Sequence, residues 1–127
     1  MSRLNISQRL KKFIKEQIHS VFSLEVLLLF HRNQSRSFTA SEVANELGIE
    51  IDVAQQQLSE LVSTDLLATM KGPIAKYRYA PVDKERTTMV DQLAMAYTKQ
   101  RVPILSLILS EHPDRIRGFA EAFRVIK

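Results

Sequence analysis

The chain has 127 residues, a length that suits one compact domain with an appended element and needs neither disulfides nor a structural metal to bury a core. It contains no cysteine, which excludes disulfides, thiolate metal sites and thiol nucleophiles. The net charge of +4 mildly favours polyanionic partners. Because the sequence has neither a secretory signal nor a run of about eighteen apolar residues, we expect a cytoplasmic protein without a membrane partner.

Charge is distributed unevenly along the chain. Residues 1–22 carry five basic residues and one acidic residue, for a net charge of +4. Residues 23–82 carry five basic and seven acidic residues, a net charge of −2, and residues 83–127 carry eight basic and six acidic residues, a net charge of +2. The same boundaries divide the predicted organisation into an N-terminal amphipathic helix, a central domain and a C-terminal helical segment.

The sequence from Ser7 to Phe22 predicts an amphipathic helix. Its two faces differ in chemistry, with Leu10, Phe13, Ile14, Ile18, Val21 and Phe22 on the apolar side and Arg9, Lys12, Lys15 and Glu16 on the other. A basic amphipathic helix can lie on a membrane or on phosphate, but such stripes more often pack on their own domain or on a second subunit. We therefore adopt the packing interpretation.

A second helix follows, with Ser20 or Ser23 as its predicted N-cap. Between Leu24 and Phe30 it is apolar nearly all round, so it must be buried. The polar loop after it contains the cations Arg32 and Arg36, which could reach a phosphate.

Two short helices joined by a tight turn are predicted over residues 38–67. Thr39 and Glu42 have the spacing of a capping box, and Gly48 stands where a left-handed residue commonly ends a helix. Asp52 predicts the N-cap of the second helix, whose apolar face would contain Ala54, Leu58, Leu61 and Val62. This is the pattern of a helix-turn-helix with a recognition helix, although an αα-hairpin in a helical bundle could show the same caps.

A β-hairpin is predicted directly after the helix-turn-helix. The chain extends through residues 65–70, and residues 76–80 alternate in the manner of a strand. Gly72-Pro73 between them marks a turn. A hairpin in this position corresponds to a wing.

The segments SFTASEVANELGI, IDVAQQQLSELVSTDLL and MKGPIAKYRYAP, preceded by a helix, resemble the winged helix-turn-helix of MarR-like bacterial transcription regulators over residues 20–82. The resemblance implies an α+β fold that is mainly α, and a homodimer that binds double-stranded DNA. In this arrangement the recognition helix lies in the major groove, and the wing lies against the backbone or minor groove. It implies that the groove is faced by Asp52, Val53, Gln55, Gln56 and Ser59, and that the wing contributes Lys71, Lys76 and Arg78.

The sequence departs from the family pattern at two places. Asp65 stands where a glycine is common before the first wing strand, and positions where many members carry Arg or Lys are occupied by Gln55, Gln56, Gln57 and Glu60. Glutamine can pair with adenine through two hydrogen bonds, whereas Glu50, Asp52 and Glu60 beside the groove would repel phosphates. The alternative function is therefore a winged-helix module that binds a protein partner without direct DNA binding.

The C-terminal segment predicts helix from Arg86 to Glu111, interrupted by Pro103 into two pieces in rough line. Residues 104–109 are apolar on nearly every side and need a second covering surface, which is either the N-terminal helix of the same chain or the same helix of another copy. The family resemblance favours the homodimer, with a predicted interface of Leu93, Tyr97, Ile104, Leu107 and Ile108. A last short helix with Ile116, Phe119, Ala120 and Phe123 would complete this seam.

The sequence shows no pattern of a catalytic or metal site. His19, His31 and His112 lie far apart, and no two of them have the short spacing of a helix-borne metal site. No glycine-rich phosphate loop and no nucleophile elbow are present. We therefore expect a protein that is not an enzyme and that needs no cofactor.

Overall fold

The computed structural model describes residues 6–111. This part of the chain contains six helices and a small antiparallel sheet, so the predicted fold class, α+β and mainly α, is confirmed. The helices are α1 (Gln8–Gln17), α2 (Val21–Arg32), α3 (Ala40–Leu47), α4 (Ile51–Ser63), α5 (Lys84–Lys99) and α6 (Arg101–Glu111), and the strands are β1 (Phe38–Thr39), β2 (Leu67–Met70) and β3 (Lys76–Tyr79). The predicted last helix and His112 lie outside the described residues.

The junction of α1 and α2 corrects one prediction, because the first helix does not continue to Phe22. Ile18 has extended backbone, and Ser20 adopts φ −162° and ψ 166° while its hydroxyl accepts a hydrogen bond from the Ser23 amide at 3.0 Å. This cap gives a hydrogen-bond acceptor to the Ser23 amide, which has none within the helix. Helix α2 therefore begins at Val21. Of the two predicted caps, Ser20 is therefore the one that the fold uses.

Helix α2 is the centre of the core, as its apolar composition predicted. Its side chains at Leu24, Val26, Leu27 and Phe30 have no exposed surface, and the helix contacts α3, α4, α5, α6 and β3. The ring of Phe30 meets Phe38 edge to face, with 5.1 Å between ring centroids. Buried residues from α1 to α6 form one continuous cluster, so the three sequence segments share a single core.

The helix-turn-helix has its predicted first cap and a different second cap. The Thr39 hydroxyl accepts from the Glu42 amide at 3.1 Å, the Glu42 carboxylate accepts from the Thr39 amide at 2.9 Å, and Gly48 is left-handed at φ 66°. The prediction of Asp52 as the second N-cap is wrong. Helix α4 begins at Ile51 because the chain is already extended at Glu50, and this places Asp52 in the first turn. A carboxylate there still interacts favourably with the helix dipole.

The sheet has the strand order β1–β3–β2, and all its pairs are antiparallel. Strands β2 and β3 form the predicted wing hairpin, in which Met70 is paired with Lys76. The two-residue strand β1 was not predicted, because a segment that short has no periodicity. Before β2, Asp65 has φ 65°, so this aspartate adopts the left-handed conformation that a glycine would favour.

The C-terminal helix is divided into two pieces, as predicted. Gln100 ends α5 with φ −136° and ψ 62°, and Pro103 lies in the first turn of α6, where a missing amide proton costs no helical hydrogen bond. Helix α6 packs on α1, α2 and α5 of the same chain, and Ile104 and Ile108 are buried there. The same chain therefore supplies the covering surface for these two residues. Within residues 6–111, no helix is both long and apolar enough to cross a membrane.

His31 connects the wing to the helical core. Its Nε2 lies 2.9 Å from Oδ1 of Asp91 on α5, and its ring meets Tyr79 of β3 edge to face with 5.8 Å between centroids. The Tyr79 hydroxyl is buried and has no hydrogen-bond partner among the described residues. Burial, together with the nearby charge of Asp91, raises the pKa of Tyr79 to about 12.

We expect Tyr79→Phe to leave the free energy of unfolding at neutral pH unchanged or to raise it by up to about 1 kcal/mol, because the hydroxyl loses hydration on burial and gains no bond. Since the phenol has a raised pKa in the fold, the wild type should lose stability as the pH rises above the ordinary value of 10.0 towards about 12, and the variant should lack this loss. Urea unfolding at several pH values measures both effects. A loss of more than about 1 kcal/mol at neutral pH would show that the hydroxyl is bonded.

Candidate nucleic-acid interface

Helix α4 presents a polar stripe to solvent. The stripe consists of Asp52, Gln55, Gln56 and Ser59, which are all exposed and recur at helical spacing. The opposite side of the helix is buried against α2 and α3 through Ala54, Leu58 and Leu61. The three residues predicted to contact base edges, Gln55, Gln56 and Ser59, therefore share one accessible face, whereas Val53 is half-buried beside it.

Gln57 does not belong to this stripe. It is only 3% exposed, and its Oε1 accepts a hydrogen bond from the Ser20 hydroxyl at 3.4 Å. Ser20 is the N-cap of α2, so this bond joins the recognition helix to the start of the central helix. The signal for this structural role was present in the helical spacing, which places Gln57 next to the apolar face of α4.

Glu60 also lies away from the centre of the stripe. Its Oε1 is 3.9 Å from Nδ1 of His19 in the loop between α1 and α2, and its side chain is 29% exposed. The Glu60 side chain therefore turns towards this loop rather than along the stripe. The stripe itself carries a single acidic residue, Asp52, while Glu50 is exposed at the N-cap.

The wing presents cations on one side and aromatic rings on the other. Lys76 and Arg78 are exposed on β3, whereas Tyr77 and Tyr79 alternate with them and are buried. Lys71 is exposed in the turn that follows β2. All three predicted wing cations are thus accessible, and the buried tyrosines hold their strand on the core. Strand β2 of the wing packs on α4, which brings the wing against the recognition helix.

The loop cation Arg36 is held close to the start of the helix-turn-helix. Its guanidinium lies over the Phe38 ring, 4.3 Å from the centroid, and the residue remains exposed. The positive charges of Arg36 and Lys76 both interact electrostatically with the carboxylate of Glu42. The hydrogen bond from the Thr39 amide lowers the pKa of Glu42, and the positive charges of Arg36 and Lys76 lower it further. The structure therefore brings these two predicted DNA contacts to the same end of α3.

The residues predicted for a dimer interface occupy different environments. Leu93, Ile104 and Ile108 are buried by their own chain, so they present no surface to a second copy. Leu107 is half-buried, and the Tyr97 hydroxyl donates to Glu25 at 3.1 Å and accepts from Nε of Arg101 at 3.0 Å. Sequence periodicity identified the apolar sides of α5 and α6. It could not show which of these side chains are covered by α1 of the same chain and which remain exposed. The large apolar side chains left exposed on α5 and α6 are Met95, Val102 and Leu109.

Among the described residues, no group of three or more histidines and carboxylates could hold a metal ion. His19 lies near Glu60 of α4, whereas His31 lies near Asp91 of α5.

No family model matches the sequence, and no curated protein matches it. The structure is nevertheless similar to solved structures. The reduced form of MarR from E. coli has a TM-score of 0.55 at 12% identity, covering 93% of this chain and 85% of that one. A mutant of the same protein gives 0.53 at 10% identity, with coverages of 94% and 85%.

The adhesin competence repressor AdcR from Streptococcus pyogenes is also similar, with a TM-score of 0.51 at 13% identity over 91% of this chain and 84% of that one. At these identities the likeness concerns the fold. It extends over almost the whole chain, including the helices on both sides of the helix-turn-helix and wing. The chain therefore has the winged-helix fold of MarR-like regulators.

Proposed function

We propose that this protein is a DNA-binding transcription regulator that acts as a homodimer through its winged helix, in the cytoplasm and without enzymatic activity. The observation that carries the proposal is the accessible set of polar and basic side chains on α4, the wing and the preceding loop: Gln55, Gln56, Ser59, Arg36, Lys71, Lys76 and Arg78. The structurally similar AdcR is itself named a repressor.

The chemistry of this surface suits duplex DNA. The side-chain amides of Gln55 and Gln56 can each donate to and accept from an adenine in the major groove, and a good bidentate pair contributes about 1–3 kcal/mol of discrimination between bases. The wing cations and Arg36 can neutralise phosphates, which position the protein and supply most of the sequence-independent affinity. The surface thus contains groups for base recognition and for backbone binding.

The positions of the acidic residues favour DNA over the alternative of a protein partner alone. That alternative was motivated by the net charge of −2 over residues 23–82. Two of the seven acids do not face the proposed surface, because Glu25 accepts a hydrogen bond from Tyr97 and Glu60 lies towards His19. The repulsion that a phosphate would meet at the stripe is therefore smaller than the segment charge indicates.

A salt titration tests DNA binding. We expect binding of a labelled duplex to weaken steeply with salt, and Lys71→Ala, Lys76→Ala and Arg78→Ala each to reduce the slope of log affinity against log salt by about 1.8, since each removes one phosphate contact from each subunit of the dimer. Fluorescence anisotropy measures the affinity.

Lys99→Ala is the matched control, because Lys99 is also an exposed cation but lies at the end of α5, away from the wing. It should leave the slope nearly unchanged. Absence of detectable binding at low salt would contradict the proposed function, and an equal effect of all four substitutions would contradict the placement of the contacts in the wing.

The proposed homodimer would use the exposed side of α6. Val102 is 71% exposed and Leu109 is 40% exposed, and their separation of seven residues places them on the same side of the helix. Covering these side chains by a second copy would remove apolar surface from water. Two copies related by a twofold axis could present their recognition helices to half-sites about 34 Å apart on DNA.

We expect Val102→Asp to convert the dimer to a monomer, because the charge would be buried without a partner in the seam. Val82→Asp is the matched control, since Val82 is 63% exposed but precedes α5 and is not part of α6. Sedimentation velocity distinguishes the two states. A monomeric wild type, or a dimer that survives Val102→Asp, would contradict this seam.

A further inference from the structure

We propose that Glu42 limits the affinity of this protein for DNA, because its carboxylate is fixed beside two of the cations that would contact phosphates, Arg36 and Lys76. The inference rests on the proposed function and adds an antagonistic residue to the same surface. The sequence identified Glu42 only as a member of a capping box. That role explains its hydrogen bonds with Thr39 but not its position near Arg36 and Lys76.

The capping box determines where the carboxylate lies. The Thr39 amide donates to Oε1 of Glu42 at 2.9 Å, and the Glu42 amide donates to the Thr39 hydroxyl at 3.1 Å. The first of these bonds holds the Glu42 carboxylate back against the N-cap residue, and the second fixes the Thr39 side chain. An exposed glutamate without such bonds would sample several rotamers and spread its charge over a larger volume.

Both cations are brought to this position by the short strand β1. Thr39 of β1 is the cross-strand partner of Lys76, so the residue whose amide holds the Glu42 carboxylate lies opposite a wing lysine. The adjacent residue of β1, Phe38, carries the Arg36 guanidinium on its ring at 4.3 Å. One two-residue strand therefore places an acid, a loop arginine and a wing lysine at the same end of α3.

The charges of the three groups act on one another without forming a close pair. The hydrogen bond from the Thr39 amide lowers the pKa of Glu42, and the charges of Arg36 and Lys76 lower it further, so both cations interact with this carboxylate. In the part of the chain that the structure describes, neither cation forms an ion pair with a carboxylate. Both cations therefore remain able to contact a phosphate. The negative charge of Glu42 makes the electrostatic potential around them less positive, so it weakens their attraction for that phosphate.

The size of the effect follows from Coulomb's law. A carboxylate about 7 Å from a bound phosphate in water weakens its binding by about 2.7-fold without screening, and by about twofold per subunit after screening at about 50 mM salt. The effect decreases as salt is added, because the Debye length falls to about the same distance at about 200 mM. A loss of affinity caused by a distorted helix would instead persist at all salt concentrations.

The chain offers a matched pair of substitutions. Glu42→Gln removes the charge but keeps an oxygen that can accept from the Thr39 amide, since glutamine also serves at this position of a capping box. Glu46→Gln makes the same change of charge one turn further along α3, at an exposed residue outside the capping box. Thermal unfolding of both variants should match the wild type closely and show that the fold is retained.

The test is the affinity of the full-length protein for a labelled, random-sequence duplex of about 30 base pairs, measured by anisotropy at about 50 mM and about 200 mM NaCl. We expect Glu42→Gln to bind about twofold more tightly per subunit than the wild type at the lower salt, with a smaller gain at the higher salt, and Glu46→Gln to gain less.

Equal affinities of Glu42→Gln and Glu46→Gln at low salt would overturn the inference while leaving DNA binding intact. A gain for Glu42→Gln that is the same at both salt concentrations would also overturn it, because the cause would then not be electrostatic. If the wild type and both variants fail to bind the duplex, the proposed function fails and this inference fails with it.

Discussion

The fold depends on the burial of α2 on nearly all its sides between Ser23 and Phe30. A helix whose side chains at Leu24, Val26, Leu27 and Phe30 have no exposed surface requires neighbours in every direction, and α3, α4, α5, α6 and β3 supply them. Helix α4 is held in place by the burial of α2, since its buried side packs on α2 and its polar stripe faces water. The wing is held in the same way through the buried side chains of Tyr77 and Tyr79 and the contact of the Tyr79 ring with His31 of α2.

Features with a local cause were predictable from the sequence. The Thr39–Glu42 capping box, the left-handed Gly48 and the hairpin around Gly72-Pro73 each depend on residues a few positions apart. The N-cap of α4 was wrongly predicted at Asp52 instead of Glu50. The choice between these two residues depends on the length of the turn after Gly48, which the sequence pattern does not show. Sequence patterns identified the polar stripe of α4 for the same local reason, since helical spacing alone determines which residues share a face.

Contacts between distant parts of the chain were not predictable. Gln57 and Ser20 are 37 residues apart, and His31 and Asp91 are 60 residues apart, so neither pair has a signature in any short window. The same limit applied to the apolar residues of α5 and α6. Their periodicity predicted buried sides correctly, but only the packing of α1 shows that Ile104 and Ile108 are covered within one chain.

Electrostatics determines whether this winged helix acts on DNA. The net charge of residues 23–82 argues against binding, whereas the places of Glu25 and Glu60 and the exposure of the wing cations argue for it. The most direct measurement is a map of amide chemical-shift changes when duplex DNA is added at low salt. If the proposed surface binds DNA, changes will appear along the stripe of α4, in the wing and around Thr39. An absence of changes, or changes confined to α1 and α6, would show that this surface does not bind DNA.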